Sequence, residues 1–304
     1  MYKNFSELQE HARHIASRKR VAVAAAAEEH VLEAVNRAYL AQIIEPTLIG
    51  DAEKIARMLD SLGAAIPRDA IIPANTTQEA ALFAVKLARS GAADVLMKGR
   101  LHTAELMRIV VDRADGLRAG NIISHITFLE LPTYHKLLAI TDGAIVLSPH
   151  LEEKQAILEN AVRFMRNMGY RQPNAAVMAA VETVDPRLRD TVDATQLKRL
   201  NQEGVITDCV VEGPISYDLA MSRESAQIKG YHSPVTGEVD VMLVPDMTAG
   251  NLMAKSLVYS GGAKMAGVIV GAAAPIVLTS RGSSADEKFY SLVLAASAAS
   301  RETT

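Results

Sequence analysis

Near the end of the chain, the cluster Ser280-Arg281-Gly282-Ser283-Ser284 gathers side chains suited to binding an anion. A serine hydroxyl donates one hydrogen bond, and an arginine guanidinium binds a phosphate or carboxylate through two parallel N–H groups. The cluster follows an apolar run that predicts a strand and precedes a helical run, so free N–H groups of a helix start are expected there. The pattern therefore predicts an anion-binding site at the end of a strand.

Three further glycine-rich segments also follow strand-like runs and precede helical ones. They are Met97–Thr103, Val211–Ile215 and Val244–Asn251. In open α/β sheets, ligands bind beyond the carboxyl ends of the strands, where glycine lets the backbone approach them closely. Glycine is also common after strands because turns require positive φ, so each junction alone has a purely structural alternative. Positive charge at or near the junctions comes from Lys98, Arg100, Arg108, Lys255 and Arg281.

The elements that must position these segments alternate between strands and helices. Apolar runs predict strands at 21–24, 47–50, 70–72, 94–97, 122–131, 144–147, 175–179, 209–211, 239–244, 268–270 and 276–278. Helical periodicity predicts helices at 5–16, capped by Ser6, and at 28–41, 52–62, 77–90, 152–168 and within 185–203. Such alternation is typical of a mostly parallel sheet covered by helices on both faces.

Length and composition limit the classes of protein. With 304 residues, 49% of them apolar, the chain can form two lobes or one large α/β unit. The net charge of −3 and the pI near 6.3 exclude a generally basic surface for nucleic acid. Aromatic residues make up 4%, with no Trp, which leaves little for stacking bases. No nucleic-acid partner is therefore expected.

The cysteine content and the apolar runs of the sequence indicate the cellular compartment in which the protein is expected. Cys209 is the single cysteine, which excludes a disulfide framework within the chain and a cysteine-rich metal site; its apolar neighbours predict a buried structural thiol. No secretory signal is recognised, and the longest uncharged run, at 265–280, is too short for a membrane span and is interrupted by Pro275. We therefore expect a cytoplasmic protein with no membrane partner.

Common nucleotide, hydrolase and metal motifs are missing from the sequence. It contains no G-x-G-x-x-G after a strand, no G-x-x-x-x-G-K-[ST], no G-x-S-x-G and no H-E-x-x-H. His11 and His14 lie on the polar side of the first predicted helix, where solvent exposure is the simpler interpretation. No metal site is predicted.

Six segments, in order along essentially the whole chain, resemble motifs of the phosphate acetyltransferase/phosphate butyryltransferase family. Members of this family exchange an acyl group between phosphate and coenzyme A. The segments are MKGRLHT (97–103), DGAIVLSP (142–149), GPISYD (213–218), SPVTG (233–237), VPDMTAGNLMAK (244–255) and PIVLTSRGSS (275–284). The short chain and the Leu-Thr-Ser-Arg ending resemble the butyryl branch more than the acetyl branch.

The resemblance implies a two-lobed α/β fold of the isocitrate/isopropylmalate dehydrogenase type, with the active site in the cleft between the lobes. Residues 1–132 and 280–304 would form the first lobe, and residues 133–279 the second. It also implies a homodimer or higher homo-oligomer. The substrates would be acyl-CoA and inorganic phosphate, with coenzyme A as substrate and no tightly bound cofactor.

The family reaction is direct attack of the coenzyme A thiolate on the carbonyl carbon of an acyl phosphate, without a covalent acyl-enzyme. It requires cations for the phosphate, a donor for the tetrahedral oxyanion and a base for the thiol. By resemblance, Ser280 donates to the oxyanion and Arg281 stabilises the phosphate or the oxyanion. Arg108 matches a phosphate-binding arginine of the family after a one-residue deletion; the alternative is an exposed helix charge. The other substrate-binding residues would be Lys98, Gly99, His102, Thr103, Gly250, Asn251, Lys255, Gly282 and Ser283.

This chain departs from the acetyl branch in two places. The acetyl branch has an aspartate seven residues after the serine, whereas this chain has Glu287 there, with Asp286 just before it. Either carboxylate could be the base, or both could simply complement the N-terminal dipole of a helix. Between Ala74 and Ser90, nothing matches the early Arg/Lys-rich segment of the acetyl branch.

Two other functions remain open. A same-fold NAD-dependent hydroxyacid dehydrogenase would need a carboxylate cluster for a divalent metal, and no matching junction supplies one. The other is a non-catalytic acyl-CoA-binding or dimerisation module. Against it stand the free-standing length of the chain and the presence of Ser280 and Arg281.

Overall fold

The computed structural model describes residues 1–120, 122–280 and 282–299, and the chain divides into two compact units. The first unit comprises Phe5–Asn121 and Ala266–Thr304. The second unit comprises Met1–Asn4 and Ile122–Met265. Most of the second unit is therefore inserted into the sequence of the first.

Helices and strands alternate along both units. The first unit begins with α1 (Phe5–Arg13), β1 (Lys19–Ala24), α2 (Glu29–Leu40), β2 (Ile44–Gly50), α3 (Ala52–Ser61), β3 (Ile71–Pro73), α4 (Thr77–Arg89), β4 (Val95–Lys98) and α5 (Thr103–Val110). The second unit contains β5 (Ser124–Glu130), β6 (Leu138–Thr141), α6 (Leu151–Asn167), β7 (Asn174–Met178), α7 (Arg189–Gln202), β8 (Val210–Ile215), α8 (Tyr217–Met221), α9 (Arg223–Lys229), β9 (Val241–Leu243) and α10 (Met247–Tyr259). The chain then adds β10 (Lys264–Val270), β11 (Ile276–Val277) and α11 (Ala285–Ala298).

Strands of the first unit pair in the order β3-β2-β1-β4-β11-β10. Of these pairs, β10 with β11 is antiparallel and the others are parallel. Every residue of β4 and the last four residues of β1 are buried, which is why parallel strands read as continuous apolar runs. Because parallel strands end at the same edge, the segments that follow β1, β4 and β11 are neighbours.

Strands of the second unit pair in the order β5-β6-β9-β7-β8. The pair β5 with β6 is antiparallel, and the remaining pairs are parallel. Leu138 and Ile140 of β6, Met242 of β9 and Leu219 of α8 belong to one buried apolar cluster. The predicted fold class, α/β with mostly parallel sheets, is confirmed.

The strand predicted at 144–147 is wrong. The carboxylate of Asp142 accepts hydrogen bonds from the backbone N–H groups of Ala144, Ile145 and Val146, at 2.7, 2.9 and 3.3 Å. Backbone groups that bond to a nearby side chain are satisfied without a neighbouring strand, so this apolar segment forms a loop. The strand of this region is β6, which ends immediately before Asp142.

Two smaller predictions have opposite outcomes. Cys209 is buried, and this burial raises the pKa of its thiol to about 11, as expected of a structural cysteine. Ser6 does not precede the first helix as a cap, because α1 begins at Phe5.

Candidate functional site

A cavity of about 560 Å³ lies in the first unit, at the carboxyl ends of β1, β4 and β11. We call it the strand-end cavity. Its polar lining comes from Glu28, Glu29, Lys98, Arg100, His102, Thr279, Ser280 and Lys288. Three predicted site residues from the 97–103 segment, Lys98, Gly99 and His102, thus share one cavity with Ser280.

Gly99 allows the backbone after β4 to lie directly on the end of β1. Its N–H donates to the carbonyl of Ala24 at 2.8 Å, and the N–H of Arg100 donates to the carbonyl of Ala25 at 2.7 Å. A Cβ on Gly99 would lie 2.7 Å from the oxygen of Ala24 and closer still to that of Ala25. This close approach requires glycine, and it fixes the backbone positions of the neighbouring Lys98 and Arg100.

Lys98 is buried at the end of β4. Its Nζ donates to the carbonyls of Gly99 and Leu101, at 3.1 and 3.2 Å. The ammonium therefore holds the turn that follows its own strand, in addition to lining the cavity. His102 then stands at the N-cap position of α5 and Thr103 is its first residue.

Ser280 is exposed and lies in the turn between β11 and α11. Its hydroxyl oxygen accepts a long hydrogen bond from the N–H of Gly282, at 3.4 Å, and its carbonyl accepts from the N–H of Ser283, at 3.1 Å. Arg281, the predicted partner of this serine, lies outside the described residues. The turn leaves the Ser280 hydroxyl exposed at the cavity, where it can donate a hydrogen bond to a ligand.

Glu287 lies in the first turn of α11. Its carboxylate accepts a 2.6 Å hydrogen bond from the hydroxyl of Ser283, and its N–H donates to the Ser284 side chain, the cap of the helix. Burial raises the pKa of Glu287, while the bond from Ser283 and the charge of Lys288 act against that rise. The net result is a carboxyl group with a raised pKa next to the serine turn.

Asp286, the other predicted base, is largely exposed. Its carboxylate forms a 2.6 Å ion pair with Arg37 of α2. Together with Gly282 and Ser283 it lines a second, more open depression that also contains His30. Asp286 is therefore partnered by a guanidinium, whereas Glu287 is bonded to a neutral hydroxyl.

Arg108 lies in the last turn of α5 and is exposed. The cavity lining includes His102, before the start of this helix, and does not include Arg108. These two predicted binding residues therefore lie toward opposite ends of α5.

Gly250, Asn251 and Lys255 belong to α10 of the second unit. A Cβ on Gly250 would lie 2.8 Å from the Cα of Gly143 and from Cγ2 of Val244, so glycine is needed for packing. The Asn251 amide donates to the carbonyl of Gly143 at 3.2 Å. These two residues hold α10 against the loop that begins at Asp142, and Lys255 is exposed on the same helix.

Glu28 and Lys288 also line the cavity, and neither was among the predicted site residues. The Glu28 carboxylate accepts from the N–H groups of His30 and Val31 and so caps α2. An acidic residue directly after an apolar run is a signal that could have found it. Lys288 interrupts the apolar face of α11 between Ala285 and Leu292, and a lysine there is the corresponding signal.

Carboxylates do not dominate the strand-end cavity. Glu28 is already bonded to backbone N–H groups, and the remaining polar lining is largely cationic or hydroxyl-bearing. Across residues 1–120, 122–280 and 282–299, no group of three or more His, Cys, Asp and Glu side chains is arranged to hold a metal ion. Over the same ranges, no helix is both long and apolar enough to cross a membrane.

Comparison with known proteins finds a matching family and similar chains. The model of the family described as Phosphate acetyl/butaryl transferase matches residues 71–296. The phosphate acetyltransferase of Thermotoga maritima is 40% identical over 278 residues, which cover 91% of this chain and 94% of that protein. A probable phosphate butyryltransferase of Bacillus subtilis is 40% identical over 277 residues, covering 91% and 92%.

The fold is also similar to solved structures. A branched-chain phosphotransacylase from Enterococcus faecalis has a TM-score of 0.81 at 29% identity, over 92% of this chain and 99% of that chain. A 4-hydroxythreonine-4-phosphate dehydrogenase from Burkholderia phymatum, with a TM-score of 0.53 at 15% identity over 93% and 98%, shares the fold alone. The family match covers well over half of the sequence, and the relatives align over nearly their full length. The chain therefore belongs to the phosphate acetyl/butyryl transferase family.

Proposed function

We propose that this protein is a phosphate acyltransferase that moves a short-chain acyl group reversibly between coenzyme A and inorganic phosphate. One observation supports this above the others. The strand-end cavity brings the Ser280 hydroxyl together with the ammonium groups of Lys98 and Lys288 and the guanidinium of Arg100. A donor for an oxyanion and cations for a phosphate are what acyl transfer to phosphate requires.

In the proposed reaction, the thiolate sulfur of coenzyme A attacks the carbonyl carbon of the acyl phosphate. A C–S bond forms, the C–O bond to the phosphate breaks, and its electron pair leaves on the phosphate oxygen. The thiol proton goes to a base and then to the departing phosphate, so no proton or electron is left over. The same steps in reverse form acyl phosphate from acyl-CoA and phosphate.

Ser280 is proposed to donate a hydrogen bond from its hydroxyl to the oxyanion of the tetrahedral intermediate. Its exposed position at the cavity supports this role. Arg281 is assigned to the phosphate or the oxyanion by the family resemblance. Lys98 and Gly99 are assigned to shaping the cavity. The Lys98 ammonium holds the turn by hydrogen bonds, and Gly99 lets that turn pack directly against the backbone of Ala24 and Ala25.

We assign the base to Glu287 and not to Asp286. A free thiol is mostly protonated at neutral pH, and a base works best when its pKa approaches the working pH. Burial moves the pKa of Glu287 in that direction. Asp286 is exposed and forms a surface ion pair with Arg37, which supports a purely surface role.

Further substrate contacts are proposed from the resemblance. His102 and Thr103 at the start of α5, together with Gly282, would offer polar groups to the phosphate, and Arg108 would add charge from the end of the helix. Gly250, Asn251 and Lys255 are proposed to contact coenzyme A; for the first two, this would add to the packing role described above.

The acyl group itself is proposed to be short. Relatives named for acetyl and for butyryl transfer reach the same identity to this chain, so the preference is a matter for assay. Acetyl-CoA, propionyl-CoA, butyryl-CoA and hexanoyl-CoA are each incubated with phosphate and EDTA, and free thiol is followed with a chromogenic disulfide. We expect phosphate-dependent, metal-independent release with a maximum at butyryl-CoA.

Other outcomes of this assay would identify the alternative functions. Coenzyme A binding without thiol release would indicate a binding or dimerisation module. Reduction of NAD with a hydroxyacid and a divalent metal, in the absence of thiol release, would indicate a dehydrogenase. Either result would overturn the proposal.

The assembly and its compartment are proposed from the resemblance as well. We propose a homodimer or higher homo-oligomer that works in the cytoplasm. Size-exclusion chromatography with light scattering measures the mass in solution against the 32.7 kDa of one chain. A single species at the mass of one chain would contradict the oligomer.

A further inference from the structure

Lys288 is a buried cation that faces the strand-end cavity. It lies in the first turns of α11, is 3% exposed and shares the cavity with Ser280. Its Nζ donates a 2.7 Å hydrogen bond to the carbonyl oxygen of Ser283. The side chain thus reaches back over the start of its helix toward the turn that holds the serine.

The hydrogen bonds of this ammonium are incomplete. A lysine ammonium has three N–H donors, and within the part of the chain that the structure describes Lys288 uses one, on a neutral carbonyl. No described carboxylate lies within ion-pair distance of this ammonium, although its charge acts on the adjacent Glu287, whose carboxylate accepts a hydrogen bond from the Ser283 hydroxyl. A buried charge is costly unless it is paired and hydrogen-bonded, so an anion bound in the cavity would stabilise this ammonium.

We propose that Lys288 is a substrate-binding residue whose ammonium donates to a non-bridging oxygen of the phosphate that accepts or releases the acyl group. This inference rests on the proposed function and adds a residue to it. A phosphate dianion offers several acceptor oxygens to the two remaining donors, and Ser280, the proposed donor to the acyl oxygen, lines the same cavity.

The position predicts an effect on both binding and turnover. When the C–O bond breaks, negative charge increases on the phosphate oxygens, and a nearby ammonium in a partly desolvated cavity stabilises that charge. Phosphate groups of coenzyme A carry similar chemistry, so the two sources must be separated. Lys288 should affect the Michaelis constant for inorganic phosphate and leave that for acyl-CoA within about twofold.

Three variants of the full chain test this. Lys288→Met removes the charge at similar volume, Lys288→Arg keeps it, and Lys86→Met removes an exposed lysine of α4 as a matched control. We expect Lys288→Met to raise the KM for phosphate and lower kcat/KM by about 10- to 100-fold, the usual loss for a bond to a charged group. Lys288→Arg should recover part of this loss, and Lys86→Met should match the wild type.

Thermal unfolding separates binding from a structural role. Without ligand, Lys288→Met should melt within about 4 °C of the wild type, because the buried charge is removed along with one hydrogen bond. Millimolar inorganic phosphate should raise the melting temperature of the wild type and of Lys288→Arg, and leave that of Lys288→Met unchanged.

The other possible results either refute the role of Lys288 or refute the proposed function while leaving that role in place. An active wild type with an unchanged KM for phosphate in Lys288→Met refutes it, as does a changed KM for acyl-CoA alone. A uniform loss of activity with a much lower melting temperature assigns Lys288 to structure. If the wild type shows no acyl transfer, the proposed function fails, and a phosphate-induced shift that needs Lys288 still supports an anion site there.

Discussion

The hydroxyl of Ser283 donates a 2.6 Å hydrogen bond to Oε1 of Glu287, one helical turn later in the chain. Ser283 is 4% exposed, and the next residue caps α11, so the donor is held in place by the start of the helix. Burial raises the pKa of Glu287 and this bond lowers it. One buried serine therefore orients the proposed base and limits how far its pKa rises.

Ser283→Ala should raise the pKa of Glu287 further, because a hydrogen bond that favours the charged carboxylate is lost while burial remains. The acidic limb of the kcat/KM profile should then move to higher pH. The measurement is the thiol-release rate in a series of buffers from pH 5 to pH 9. An acidic limb that stays in place would show that Glu287 is not the titrating base.

Glu287→Gln should lower kcat at pH 7 by about 100-fold or more, the usual contribution of a positioned base. The loss should be smaller at pH 9, where more of the coenzyme A thiol is ionised without help. Asp286→Asn is the matched control, and breaking its exposed pair with Arg37 should change the rate by less than about twofold. Equal losses at both pH values would assign the role to another group.

Glu287→Gln should also change how the stability of the protein depends on pH. The pKa of Glu287 is raised in the folded state, so the folded protein binds this proton more tightly than the unfolded chain does. The resulting stabilisation is complete below the ordinary pKa of a glutamate and is lost as the pH rises through the raised value. The melting temperature of Glu287→Gln minus that of the wild type should therefore increase between acidic and neutral pH. A constant or shrinking difference would contradict the direction of the shift.

Ser280→Ala should reduce kcat on the order of 100-fold, the typical cost of losing one donor to an oxyanion. Its side chain is exposed, so the melting temperature should stay close to that of the wild type. Ser90→Ala, at another exposed serine of the first unit, is the control for a simple loss of a hydroxyl. Wild-type turnover in Ser280→Ala would remove the serine from the proposed site.

Gly99→Ala should destabilise the first unit by about 1–3 kcal/mol, because its Cβ would meet the backbone carbonyls of Ala24 and Ala25 and these cannot move aside easily. Thiol release should fall as well, since Lys98 must shift with the turn. Gly120→Ala is the control, because a Cβ there has no atom within 4 Å. Urea unfolding of the three proteins gives the comparison, and equal midpoints would be inconsistent with the close approach.

Much of the fold was readable from the sequence because the signals are local. The helix predicted at 152–168 is α6, at Leu151–Asn167, and the strand predicted at 21–24 lies within β1. In α6 the apolar residues recur at helical spacing over the whole segment, and in β1 they form a continuous run. The loop after β6 shows where this reasoning ends: Ile145 and Val146 have the composition of a strand, but their N–H groups bond to one carboxylate.

The candidate site was readable in part for the same reason. Ser280 and Lys98 stand at strand ends, where glycine-rich turns mark them. Lys288 was not found, because its burial depends on which face of α11 meets the sheet, and that is decided by packing between distant segments. The choice between Asp286 and Glu287 likewise depended on Arg37, which is far away in sequence and close in space.

The pairing of β11 with β4 has a consequence for how the protein is made. Leu96 lies beside Ile276 in the sheet, and Ile122–Met265 of the second unit is translated between them. Closing so long a stretch of chain costs entropy that short-range contacts do not, and domains otherwise begin to fold as they leave the ribosome. The first unit must therefore wait, with one edge of β4 unpaired, until residues 276–277 have been translated, and a nascent chain stalled before that point also lacks the turn that holds Ser280.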